Sequence, residues 1–209
     1  MKEEKKNSDK EKKLYEDTLR EICSFGAGNA AARLSKLIGK KVNIDLPEVW
    51  VSKPSDGFDF LPSNEREVVI GINSAFGGDR RGVIFMLTGM EDAKKLLGFL
   101  FNRKIKEMGE MEQSALLEVS NILSGAVVGS IANFAGMKIN LEPPQLTIDL
   151  PLSIIDPALA EQMESIRWIF FTVVSIKIEV EKISLLLTFF PFFDLVGEIW
   201  KKMGEGKLL

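Results

Sequence analysis

The sequence predicts an α+β fold: one domain of two α/β repeats related by a pseudo-two-fold axis, with long paired helices packed on a β-sheet. Three observations carry this. Two stretches of helical periodicity are unusually long, each is followed by short alternating segments, and the two halves can be superposed by a single shift in numbering.

The opening residues, 1 to about 13, are almost wholly charged or polar and are expected to form an arm or the ragged start of the first helix. Residues 14–205 then form the domain, with one repeat over about 14–103 and the other over about 110–205. From Leu14 to about Leu37, apolar or small residues recur at Leu19, Ile22, Gly26, Ala30, Leu34 and Leu37, which predicts a helix closed by Gly39. Val42 to Leu46 alternates as a strand until Pro47, and 54–64 carries loop residues. Strands over 67–72 and 82–87 and a helix over 91–102 complete the first half.

The second half opens with a helix from about Met111 to Phe134, apolar at Leu116, Val119, Leu123, Val127, Ile131 and Phe134, and closed by Gly136. Extended segments follow at 139–141 and 146–149, then a helix near Pro157 to Met163. Strands are expected over 168–174, 175–181 and 184–190, and a short helix over about 193–203.

A shift of 97 sends Glu21 onto Glu118, Gly28 onto Gly125, Gly39 onto Gly136, Lys41 onto Lys138, Asn43 onto Asn140 and Pro47 onto Pro144 without a gap. The apolar positions follow, Leu19 onto Leu116 and Leu34 onto Ile131. Glycines, a proline and a carboxylate holding register over this span point to a duplicated unit.

Composition narrows the chemistry. The 209 residues are 45% hydrophobic and 27% charged with a net charge of −3, enough for a substantial core and without a basic field for nucleic acid. There is no histidine, which removes the commonest general base and zinc ligand, so triads and most zinc hydrolases drop out. The single cysteine, Cys23, cannot form an internal disulfide, and with no signal-like N-terminus the expectation is a cytoplasmic protein. No stretch reads as a membrane span; the greasiest, 183–196, is interrupted by Pro191 and Asp194.

One stripe of the second long helix could do chemistry on carboxylates and amides. Ser114, Glu118, Asn121 and Gly125 fall broadly opposite the apolar positions, and the first helix repeats the stripe as Asp17, Glu21, Ser24 and Gly28. A carboxylate and a carboxamide three residues apart project side by side, and the glycine beyond them leaves room for a partner's backbone. Such a stripe is by default a solvated face; its recurrence in register is what points to function.

Ser114-Ala-Leu-Leu-Glu118-Val-Ser-Asn121, followed at distance by Pro144, resembles the signature of the CheC/CheX/FliY phosphatases: Asp or Ser, Glu, Asn and a later proline. The first half is similar through Glu21, Phe25-Gly26-Ala27-Gly28-Asn29 and Leu34-Ser35-Lys36-Leu37. The resemblance implies dephosphorylation of the phospho-aspartate of a CheY-type response regulator, with Glu118 docking the receiver's lysine and Asn121 orienting the attacking water. It implies no cofactor bound by this chain, the Mg²⁺ being supplied by the phosphorylated receiver, and CheD, a receptor-modifying deamidase, as a further partner. The first stripe departs from the signature, since Ser24 stands where asparagine is expected, which predicts a weak or dead second site. Two rivals are a non-catalytic module regulating CheD and a flagellar-switch component like FliY. The end of the chain within six residues of Met203 is taken against the second.

Other features read as structural. Cys23 is expected to be a buried small hydrophobe, 26–29 part of a helix rather than a phosphate loop, and 79–81 a turn. The run 189–193 is expected in the core at a bent edge.

Overall fold

The computed structural model describes residues 2–45, 49–53, 67–159, 166, 168–193 and 195–204. In chain order these form α1 (Lys2–Ile38), β1 (Val42–Asp45), β2 (Val49–Ser52), β3 (Val69–Gly78), β4 (Gly82–Gly89) and α2 (Met90–Phe101). The second half gives α3 (Glu110–Ala135), β5 (Ile139–Leu141), β6 (Gln145–Asp149), α4 (Pro151–Leu159), β7 (Ile169–Ile178), β8 (Glu181–Pro191) and α5 (Leu195–Gly204). The expected loop over 54–64 lies outside the described residues.

The strands form one antiparallel eight-stranded sheet ordered β1-β7-β8-β4-β3-β5, with β2 beside β1 on β7 and β6 beside β5 on β3. Exchanging β1–β4 for β5–β8 reverses this order without changing it. The registers match as well. Val42 faces Ile178 while Ile139 faces Gly78, and Val49 faces Thr172 while Leu146 faces Ile72.

The sheet is covered on both faces, so its central strands bury nearly every residue. Ile84 and Met86 of β4 point into the main core, built with Leu19, Ile22 and Leu34 of α1, Leu96 and Leu97 of α2, and Leu116, Val119 and Leu123 of α3. Val83, Phe85 and Leu87 alternate to the other face, where Ile154 and Ile155 of α4 cover them. Gly71 of β3 permits that approach: a Cβ there would lie 2.7 Å from the Ile154 side chain. The long helices pack directly on each other, and a Cβ on Gly26 would come within 2.5 Å of the Ala126 carbonyl oxygen. Gly39 and Gly136 end α1 and α3 with φ of 72° and 66°, the left-handed conformation that glycine adopts without a Cβ clash.

Helix α1 begins at Lys2, so of the two readings of the charged opening segment it is the start of the first helix that the structure shows. Several other expectations are corrected. The three strands expected over 168–190 are two, β7 and β8, joined by a turn at Glu179 and Val180 with Glu179 at φ 55°. Helix α4 starts at Pro151, not Pro157, which lies inside it. Pro191 ends β8 opposite Gly82, and β8 lies between β7 and β4, so the aromatic run is interior rather than at an edge. By length and apolar composition α3 could cross a membrane, yet it is the central helix of the core, with Leu116, Val119, Leu123 and Ile131 buried.

Candidate functional site

Helix α3 is held in rotation at its first turn by an inverted pair of residues. Glu112 is buried and accepts a hydrogen bond from Arg103 Nη2 at 2.5 Å, while the Gln113 side chain donates to the Met108 carbonyl at 3.0 Å. With Leu116, Val119, Leu123 and Val127 in the core, Ser114, Glu118 and Asn121 face outward and are exposed. Among the described residues, Glu118 and Asn121 have no hydrogen-bond or ion-pair partner within the chain. Gly125 is half-buried, and a Cβ there would meet only Leu141 Cδ1, at 3.8 Å. Leu141 leads into Glu142-Pro143-Pro144, a segment fixed by the Glu142 N–H donating to the Ala75 carbonyl at 2.8 Å. The strand end therefore borders the stripe where Gly125 leaves it open.

The stripe on α1 is also exposed at Asp17, Glu21, Ser24 and Gly28, and a Cβ on Gly28 would meet nothing within 4 Å. Its chemistry differs. The Ser24 hydroxyl donates to the Arg20 carbonyl of its own helix at 2.7 Å, which turns the group back onto the backbone. Asp17, Arg20, Glu21, Ser24 and Phe25 line a shallow open depression, with Arg20 Nη1 3.4 Å from Asp17 Oδ1. Phe25 is 72% exposed. Arg20 and Phe25 carry no signal in the spacing of the stripe, because each lies just off it, and Phe25 enters the sequence reading only within the run 25–29; the shift by 97 places Leu117 and buried Ile122 at their counterparts.

Cys23 faces the core beside Leu19, Val127 and Phe170, and burial pushes its thiol up to about 12. A thiol so placed is no nucleophile. Among the described residues no cluster of three carboxylate or thiol groups could hold a metal ion. What the α3 stripe offers is an exposed carboxylate beside an exposed carboxamide on a helix held by the core, one an acceptor and the other both donor and acceptor. Such a pair can grip a cation and orient a small polar molecule supplied by another macromolecule.

A CheC-like family model matches residues 111–148, which span α3, β5 and most of β6 and contain the whole stripe. The CheY-P phosphatase CheC of Bacillus subtilis is 26% identical over 150 residues, covering 69% of this chain and 71% of the relative. In structure the fold is similar to FliY of Thermotoga maritima, with a TM-score of 0.70, 18% identity, and coverage of 92% of this chain and 97% of that one. It is also similar to a chain of the CheX-CheY-BeF3-Mg²⁺ complex of Borrelia burgdorferi, at TM-score 0.52 and 16% identity over 79% of this chain and 95% of that one. Through the helix that carries Ser114, Glu118 and Asn121 the chain is therefore similar to the CheC-like family, and its relative in B. subtilis is a CheY-P phosphatase.

Proposed function

We propose that this chain hydrolyses the aspartyl phosphate of a CheY-type response regulator in the cytoplasm, with Glu118 and Asn121 as its working pair. The observation that carries the proposal is the outward, unpartnered presentation of both side chains on a helix whose other face is locked in the core. Glu118 engages the receiver's active-site lysine, and Asn121 holds a water in line with the phosphorus. The water oxygen bonds to phosphorus, the bond to the aspartyl oxygen breaks, and the products are a free aspartate carboxylate and inorganic phosphate, which keeps the protons of the water. The receiver brings its own Mg²⁺, which neutralises the phosphoryl oxygens. A loose transition state asks mainly for placement, so the lack of histidine is no handicap.

The α1 stripe is a degenerate copy of this site. Ser24 is shorter than asparagine and bonded to its own helix, and the Arg20 guanidinium stands where an incoming lysine and Mg²⁺ would be repelled. The matched ladder registers support descent of both halves from one unit around a pseudo-two-fold axis. CheD is the further partner proposed. Similarity to FliY over most of the chain favours one alternative, the same chemistry placed in a flagellar switch.

The test is phosphate release from a phosphorylated CheY-type receiver by wild type, Asn121→Ala and Glu118→Gln. Asn121→Ala is expected to lose about 100-fold or more in turnover, the scale of a lost positioning group. Glu118→Gln should weaken receiver binding. Equal rates in all three proteins would overturn the assignment.

A further inference from the structure

We infer that Met111 is a docking residue of the α3 site, making apolar contact with the receiver beside its phosphorylated pocket. This rests on the assignment of that site to a CheY-type receiver. The observation is an inversion at the first turn of α3: the charged Glu112 is buried at 6% exposure while its apolar neighbour Met111 is 64% exposed. The inversion is built rather than incidental, because half-exposed Arg103 bonds buried Glu112 and so fixes which face looks out.

The outward face is the working one. At about 100° per residue, Met111, Glu118, Gly125, Ser114 and Asn121 fall within about 80° of arc. Met111 thus opens the stripe one turn before Ser114, on the same side as Glu118. Exposed methionine is a poor use of a solvated position, but its flexible thioether moulds to an apolar patch of any shape. The partner that fits is the receiver surface next to the lysine taken by Glu118, since a body seated on Glu118 and Asn121 must extend past one end of the stripe. At the other end Leu141 already borders the helix beside Gly125, so the open end is that of Met111. Anchored there, a receiver is gripped by charge in the middle and by apolar contact at the rim, the pattern in which a few desolvated anchors hold an interface.

The experiment measures the dissociation constant of the Mg²⁺-beryllofluoride form of a CheY-type receiver, and steady-state dephosphorylation of its phosphorylated form, for wild type, Met111→Glu, Met111→Leu and Asn121→Ala. Met111→Glu is expected to raise both the dissociation constant and KM about tenfold, as partial burial of a methionine supports, with kcat within about twofold. Met111→Leu restores wild-type values, and the urea midpoints of both Met111 variants stay at the wild-type position. If Met111→Glu binds and turns over like wild type while Asn121→Ala is inactive, the docking role fails and the phosphatase assignment stands. If Asn121→Ala is as active as wild type, the assignment beneath it fails.

Discussion

Two glycines two residues apart on α1 should respond to the same substitution with opposite signs. At Gly26 an added Cβ would stand 2.5 Å from the Ala126 carbonyl oxygen and 2.7 Å from Ser130 Oγ, inside the 3.0 Å that real Cβ atoms respect. The first obstacle is backbone, so relief requires α1 and α3 to part by half an ångström or more along a contact buried on both sides. Overpacking of this kind costs about 1–3 kcal/mol, and a backbone obstacle argues for the upper end. Alanine also gains about 0.8–1.0 kcal/mol over glycine in a helix interior, leaving a net loss of about 2 kcal/mol for Gly26→Ala. At Gly28 a Cβ meets nothing within 4 Å, so only the propensity gain remains and Gly28→Ala stabilises by about 0.8 kcal/mol. For a chain of this length these correspond to a fall of about 4–8 °C and a rise of about 2–3 °C in Tm. Paired thermal and urea denaturation of the two variants measures both. A Gly26→Ala protein as stable as Gly28→Ala would refute the close helix crossing.

Two further outcomes follow from the same structure. Ser24→Asn places a carboxamide on the α1 stripe; made in the Asn121→Ala background it should restore a measurable fraction of phosphate release, and more when Arg20→Leu removes the guanidinium from the depression, whereas no recovery in the double replacement would show that the α1 stripe is not a copy of the α3 site. Cys23 is held neutral by burial, so its contribution to stability is fully present below pH 9.0, the ordinary thiol value, and is lost as pH rises toward about 12. Within that window the wild type should lose about 1.4 kcal/mol per pH unit more than Cys23→Ala, read from urea midpoints between pH 8 and 11.

The long helices were legible because each buries one stripe and exposes another, which writes a 3.6-residue period into the sequence. Gly39 and Gly136 marked their ends by being the residues that tolerate positive φ. Glu118 and Asn121 were legible for the same reason, as polar residues opposite Leu116, Val119 and Leu123. The central strands were not. β7 carries apolar residues on both faces, with even Val173 apolar where it is exposed, so it shows little alternation from which to judge its length, and its turn uses Glu179 at φ 55° rather than a glycine that would announce it. Pro151 and Pro157 both suit a first helical position, so the local sequence does not distinguish a helix start at one from a start at the other. Met111 entered the sequence reading only as the start of α3; its exposure follows from the rotation of the first turn, which buried Glu112 reveals and the spacing alone does not.

The two stripes could diverge without cost to the fold because the residues that differ are not those that hold it. Under the shift by 97, Leu19 and Leu116, Ile22 and Val119, and Leu34 and Ile131 are all buried pairs, and each change there would open a cavity or strain the contact between helix and sheet. Ser24 and Asn121 are both exposed, so exchanging one for the other leaves packing untouched. Arg20, partly exposed against Leu117, adds a charge at the rim without asking the core to accept it. Such an arrangement separates stability from surface chemistry: the buried positions hold both helices with their polar stripes outward, and the residues of each stripe can change without disturbing the core. On the proposed reading, Ser24 in place of asparagine would alter the chemistry of the α1 face alone, while the α3 face keeps its exposed Glu118 and Asn121.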